Sequence, residues 1–204
     1  MSCADTRTHL AITFDESAVG DVARVRHRYD PVMAAGVQHH VTVVYPEEYS
    51  DLELLMGRAR DLAEQTPPFT FSGERFVTDS DEGQNGVFLE LRDPSGSWLR
   101  LRSGLLAAPF RAQYVAPHLT IVHPRTSNLG PEAWADLRDK TMSCHLVADS
   151  LALTVTSDSN QRTTTDRIPL AGTGRHLCVG VIPVKDGCLP VSYTHLTLPT
   201  ICSV

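Results

Sequence analysis

Apolar and polar positions change period many times along the chain. "HLAITFDE" (9–16) is rich in β-branched and aromatic residues and predicts a strand. In "SAVGDVARVRHRYDPV", Val19, Val22 and Val25 recur at helical spacing, and Pro31 predicts the end of that helix. "HHVTVVY" (39–45) predicts a second strand. "SDLELLMGRARDLAEQ" (50–65) predicts a helix with Ser50 as its N-cap, acids in its first turn and Pro67–Pro68 closing it. "FTFSGERFVTD" (69–79) and "GVFLELRD" (86–93) alternate around a turn-forming stretch and predict an antiparallel pair. A helix is expected over 97–110, with Leu101, Leu105 and Leu106 on one side. Then follow a strand at 117–124, a helix at 130–140 with proline in its first turn, and a closing strand pair at 146–158 and 162–170. The second half roughly repeats the first. This order predicts an α+β fold of two pseudo-symmetric lobes, each an antiparallel sheet with helices, around a central groove.

Composition narrows the function classes. The 204 residues suffice for one domain with a substantial core. Hydrophobic content of 42% and charged content of 21% are ordinary for a globular chain. No apolar run is long enough to span a bilayer, and the first residues lack a basic region followed by an apolar stretch, so a cytoplasmic location is expected. The five cysteines are odd in number and none pairs at CxxC spacing, which argues against a disulfide framework and a zinc site. A net charge of −6 disfavours a DNA duplex as partner. A local basic groove from Arg92, Arg100, Arg102, Arg111 and Arg125 stays open, although most of these read as solvated surface.

One phrase is written twice. "HHVTVVYP" occupies 39–46 and "PHLTIVHP" occupies 117–124, one in each half and each on an expected strand. A bare His-x-Thr arises roughly once by chance in a chain of this composition, so the weight lies in the longer match. Side chains two apart on a strand share a face. His40 and Thr42 therefore look one way, as do His118 and Thr120, while Val41, Val43, Leu119 and Ile121 face the core. Burying a polar face without partners costs on the order of 1–3 kcal/mol per group, and a groove open to water and ligand removes that cost. Two imidazoles brought to one point can cleave a phosphodiester: one, neutral, takes a proton, and the other, protonated, gives one. Two threonine hydroxyls can donate to non-bridging phosphate oxygens. His39 has the opposite parity and reads as structural or exposed, and His123 as structural. Tyr45, Tyr49 and Tyr114 are left outside the site as packing residues. The partial third copy, His195 and Thr197, has no symmetric place.

The paired motifs, their wide spacing and the duplicated layout resemble the 2H phosphoesterase superfamily, which includes 2′-5′ RNA ligase-like proteins and 2′,3′-cyclic phosphodiesterases. The resemblance covers roughly residues 8–170. It implies His40 and His118 as catalytic residues and Thr42 and Thr120 as phosphate-binding residues. It also implies a metal-independent, cofactor-free phosphoesterase that hydrolyses a cyclic nucleotide phosphate, most naturally a 2′,3′-cyclic end of RNA or a nucleotide. Ligation to a 2′-5′ linkage and non-catalytic binding of RNA ends are the alternatives. The expected partner is a small nucleotide or an RNA terminus, with no membrane, and the protein is expected to be a monomer. Family members acting on RNA ends often carry arginine or lysine five residues after the motif histidine. Tyr45 and His123 stand there in this chain, and Arg125 is the candidate replacement. Residues 171–204 read as a C-terminal extension, with the part from about residue 185 not native to the domain. "HLCVGVIPV" (176–184) has the composition of a buried strand.

Overall fold

The computed structural model describes residues 7–79, 82–157 and 161–173. The first strand, β1, is Arg7–Phe14, and it places Leu10, Ile12 and Phe14 in the core. The expected first helix is broken in two. A short α1, Glu16–Val19, stops at Gly20, whose φ of 54° lies in the left-handed region that glycine enters without penalty. The chain restarts as α2, Asp21–Tyr29. Pro31 does not simply end the helical region. It opens a third helix, α3, Pro31–Gly36, as a first-turn residue whose missing N–H costs nothing there. The Asp30 side chain accepts from the Met33 N–H at 2.9 Å and caps this restart.

Strand β2, His39–Val44, runs into a 3₁₀ turn at Pro46–Glu48. Helix α4, Leu52–Gln65, is capped by Asp51 rather than Ser50: the carboxylate accepts from the Leu54 N–H at 2.9 Å. Strands β3, Phe69–Thr78, and β4, Val87–Arg92, form the expected antiparallel pair. Helix α5 spans Ser97–Leu105 and stops five residues short of the expected end, with Pro109 in the irregular segment that follows. Strand β5 is His118–Val122 and α6 is Gly130–Leu137.

The largest departure from the sequence pattern is at 146–158. That run is two strands: β6, His145–Ala148, and β7, Ser150–Thr156, with Asp149 alone between them. They join different sheets. Strand β8, Arg162–Pro169, completes the set. Sheet A has the order β2-β1-β7-β8 and sheet B the order β5-β4-β3-β6, and every pairing is antiparallel. The fold is α+β with two four-stranded sheets, as the pattern implied. The sheets are not the two halves of the chain, however: sheet A takes both ends of the domain, and sheet B takes the continuous middle.

The core is continuous from sheet to sheet and helix to helix. It includes Leu10, Ile12, Val41 and Val43 from sheet A, Phe71, Leu89, Leu119 and Ile121 from sheet B, and Leu55 and Leu101 from the helices. The inward valines and leucines of the repeated phrase are among its most buried members, so apolar burial fixes the orientation of the polar residues between them. Strands β2 and β5 are the edge strands of their sheets and pack against one another. The two copies of the phrase thus meet at the junction of the sheets. Among the described residues no helix is long and apolar enough to cross a membrane. The strand expected at 176–184, His195, Thr197 and the segment from about residue 185 lie outside the described residues.

Candidate active site

Each motif histidine is held in the same way. His40 Nδ1 is 2.8 Å from the Gln38 carbonyl, and His118 Nδ1 is 2.9 Å from the Ala116 carbonyl. A carbonyl only accepts, so Nδ1 carries the proton in both rings. Nε2 is therefore the working nitrogen: bare when the ring is neutral, a donor when it is charged. In both cases the orienting carbonyl lies two residues upstream. The strand parity that the sequence predicts for His40, Thr42, His118 and Thr120 is present. His40 pairs across with Thr13 and Thr42 with Ala11, while His118 pairs with Glu90 and Thr120 with Phe88.

The surroundings of the two rings differ. Arg162, from the far edge of sheet A, places Nη1 on His40 Nε2. Its Nε donates to Thr154 Oγ1 at 2.8 Å, and its buried Nη2 has no hydrogen-bond partner among the described residues. None of the ion pairs among the described residues includes it. Burial lowers the Arg162 guanidinium to about 10, which leaves it charged at neutral pH. Burial first, and Arg162 second, hold His40 well below the ordinary imidazole value. His9, on the neighbouring strand, is lowered to about 3 by the same two causes. Tyr45 completes this corner. Its ring meets His9 edge-on at 6.3 Å, and burial raises it to about 12.

His118 has an aromatic and acidic setting instead. Phe88 packs edge-on against it at 4.9 Å. Burial lowers its pKa, opposed by the Ala116 hydrogen bond and by Asp79 and Glu90. Glu90 itself bonds Arg75 Nε at 2.7 Å.

His39 faces away from the site, as its parity requires. It is buried, with Nδ1 at 2.9 Å from Nη1 of Arg26. Arg26 is 1% exposed and spends its other terminal nitrogen on the Met33 and Val37 carbonyls. His123 is likewise structural: its N–H donates to Asp30 at 2.9 Å, and its Nδ1 accepts from the Arg125 N–H at 3.1 Å.

Two sequence expectations need correction. Arg102 is not solvated surface. It is 4% exposed and forks onto Glu48, with further bonds to the carbonyls of Val43 and Gln113. Glu48 in turn accepts from the Tyr45 and Gln113 N–H groups. This buried pair ties the turn after His40 to the irregular segment that leads into His118. Tyr45 packs edge-on against His9, in keeping with its reading as a packing residue. Arg125 is exposed, and the arginine that reaches a motif histidine is Arg162. Little in the sequence singled it out. "RTTTDRIPL" reads as a plain edge strand, and only the three-dimensional register brings its first residue to His40.

Among the described residues, no group of three or more His, Cys, Asp or Glu side chains is placed to hold a metal ion. What the arrangement offers is two motif histidines on strands that meet at the junction of two sheets, a threonine two residues on from each, and one guanidinium whose Nη2 has no partner among the described residues.

The chain resembles proteins already known. A family model described as "2'-5' RNA ligase superfamily" matches residues 14–160. A search of curated proteins by sequence returns no match. Among solved structures, TT0787 of Thermus thermophilus superposes with a TM-score of 0.58 at 15% identity, covering 81% of this chain and 98% of that one. E. coli LigT complexed with 3'-AMP gives 0.55 at 17% identity, covering 81% and 98%. The same protein complexed with phosphate gives 0.55 at 17% identity, covering 82% and 98%.

Proposed function

Because the chain belongs to the 2'-5' RNA ligase superfamily, we propose that it is a metal-independent phosphoesterase that opens a cyclic nucleotide phosphate by two-histidine acid–base catalysis. The substrate is a 2′,3′-cyclic phosphate on a nucleotide or an RNA end, and the enzyme acts as a cytoplasmic monomer. The observation that carries this reading is the matched pair of rings: His40 and His118 both bind a carbonyl through Nδ1 and keep Nε2 for chemistry. The binding of 3'-AMP and of phosphate by E. coli LigT, a protein of the same fold, is in keeping with it.

In this mechanism water attacks phosphorus as one Nε2 takes its proton. The bond to one ribose oxygen breaks on the opposite side, and the other Nε2–H protonates that oxygen. The product is a phosphomonoester with a free neighbouring hydroxyl, and both rings are reset by exchange with solvent. Thr42 and Thr120 donate to the non-bridging oxygens, where charge grows in the transition state. With a 5′-hydroxyl in place of water as the attacking group, the same step breaks the bond to the 3′ oxygen, protonates that oxygen and leaves a 2′-5′ linkage.

The test is turnover of 2′,3′-cyclic mononucleotides in the presence of a chelator. We expect the monophosphate to accumulate at an unchanged rate. No turnover without chelator, or loss restored by a divalent ion, overturns the reading.

A further inference from the structure

Arg162 is left unexplained by the two-histidine scheme. It carries its charge into a half-buried corner without a carboxylate partner among the described residues, and it leaves Nη2 buried and unbonded. A buried donor of this kind is costly unless something absent from the free chain accepts from it. Its two bonded nitrogens are on Thr154 and on His40, so the free one lies in the same corner as the reacting ring. A planar guanidinium fork matches phosphate in shape and charge.

Taking the phosphoesterase reading as its starting point, we propose that Arg162 is the phosphate-binding arginine of this site: in the free protein it caps His40 Nε2, and an arriving phosphate draws it onto a non-bridging oxygen and uncovers that nitrogen. An anionic oxygen is a stronger acceptor than a neutral imidazole, which sets the direction of the exchange. The cap has a second effect. A guanidinium that donates to Nε2 keeps that nitrogen unprotonated, so His40 waits in the form that a general base needs.

Burial, then Arg162 from β8, and further off Arg26 from α2 and His9 from β1, disfavour protonation of His40, and the Gln38 carbonyl opposes them. Tyr45 lies in the same corner but stays neutral, since burial raises it to about 12. Among the described residues the other motif has no counterpart to this cation. Burial lowers His118 as well, and there the Ala116 carbonyl, Asp79 and Glu90 oppose the shift.

The experiment uses the full chain, inorganic phosphate as probe, and the variants Arg162→Gln and Arg162→Lys. Phosphate affinity is measured by calorimetry, and the protonation of His40 is followed by NMR on nitrogen-labelled protein. Wild type should bind phosphate. Arg162→Gln should bind it about 10–100-fold more weakly, the effect of losing a charged hydrogen bond, and its His40 should titrate at higher pH. Arg162→Lys keeps the charge, so it should bind phosphate with intermediate affinity and keep His40 depressed. Equal phosphate binding by wild type and Arg162→Gln, no phosphate binding by wild type, or an unmoved His40 titration overturns the proposal. If phosphate binding depends on Arg162 but no cyclic nucleotide is turned over, the anion seat stands and the hydrolytic reading falls.

Discussion

The two copies of the phrase are nearly alike in sequence and unlike in setting. On sheet A, His40 sits among Arg162, His9 and a neutral Tyr45, a corner that carries the positive charge of Arg162. On sheet B, His118 sits against Phe88 with Glu90 and Asp79 nearby. The backbone treats the rings identically, through a carbonyl two residues upstream. Strands that belong to neither phrase make the difference. Strand repetition gives the two rings the same backbone partner, and the unrepeated residues around them differ: burial lowers both, Arg162 lowers His40 further, and Asp79 and Glu90 oppose the lowering of His118. That difference can be broken or sharpened by experiment.

The largest effects belong to the rings. His40→Ala and His118→Ala should each lower turnover of a 2′,3′-cyclic nucleotide by about 10²–10⁴-fold. The contrast appears with a p-nitrophenyl nucleotide diester, whose leaving group needs no proton. There the deficit of His118→Ala should shrink, while that of His40→Ala persists. Equal deficits on both substrates would remove the division of labour between the sheets.

Next comes the tie between the two motifs. Glu48→Ala leaves Arg102 buried without its counter-charge and frees both the turn after His40 and the segment before His118. Breaking such a pair costs about 3–5 kcal/mol. Denaturant unfolding should show that loss, and a loss below about 1 kcal/mol, no more than an exposed ion pair is worth, would mean the segments are held by other contacts.

A smaller effect separates the sheets by pH. His39 is lowered to about 4, chiefly by burial and then by Arg26, and His9 to about 3, chiefly by burial and then by Arg162. Both stay neutral in the folded protein while the unfolded chain takes up protons below about 6.5. Stability is therefore full above that pH and falls as pH drops, by about 1.4 kcal/mol per pH unit for each ring. The window runs down to about 4 for His39 and about 3 for His9. Three of the depressed rings, His9, His39 and His40, lie on sheet A. Amides of β1 and β2 should lose exchange protection before those of β3 and β4 as pH is lowered. His39→Gln, which keeps an acceptor for Arg26, should flatten the slope.

The smallest effect concerns where the domain stops. The sequence suggested Leu170. The chain beyond it is still tied down: the Ala171 N–H donates to the Ala63 carbonyl at 3.0 Å and the Gly172 N–H to that of Thr66 at 3.0 Å. A side chain at 172 would collide with the backbone of Gln65 and Thr66, so only glycine passes there. Ending the chain after Leu170 should cost about 1–2 kcal/mol relative to ending it after Thr173, roughly two hydrogen bonds. Thermal melts of the two truncated proteins measure it.

The strands, the long α4 and the orientation of both phrases were legible because apolar periodicity reports burial directly. His40, Thr42, His118 and Thr120 could be named because a doubled phrase carries its own control. Other features were hidden for physical reasons. The break at Gly20 and the restart at Pro31 look like one helix end in a linear pattern. β6 and β7 form one unbroken β-like run, and a single Asp149 that sends the chain to another sheet leaves no mark on hydropathy. Arg162 and Arg102 look alike in the sequence. Only long-range pairing shows that one meets His40 and the other a buried glutamate.

That one-residue crossing at Asp149 also sets an order of events. Strands β3 to β5 pair in chain order, β3 with β4 and β4 with β5, and only the β3–β6 pairing of sheet B spans a long stretch of chain. Sheet A waits for β7 and β8, because β1 must find a partner more than a hundred residues later. Non-local pairing of this kind is slow, and during synthesis β1 and β2 emerge long before the strands that complete their sheet. His40 gains Arg162 only when the last strand docks, so pulse-labelled hydrogen exchange during refolding should protect the β3–β4 pairing ahead of the β1–β7 pairing.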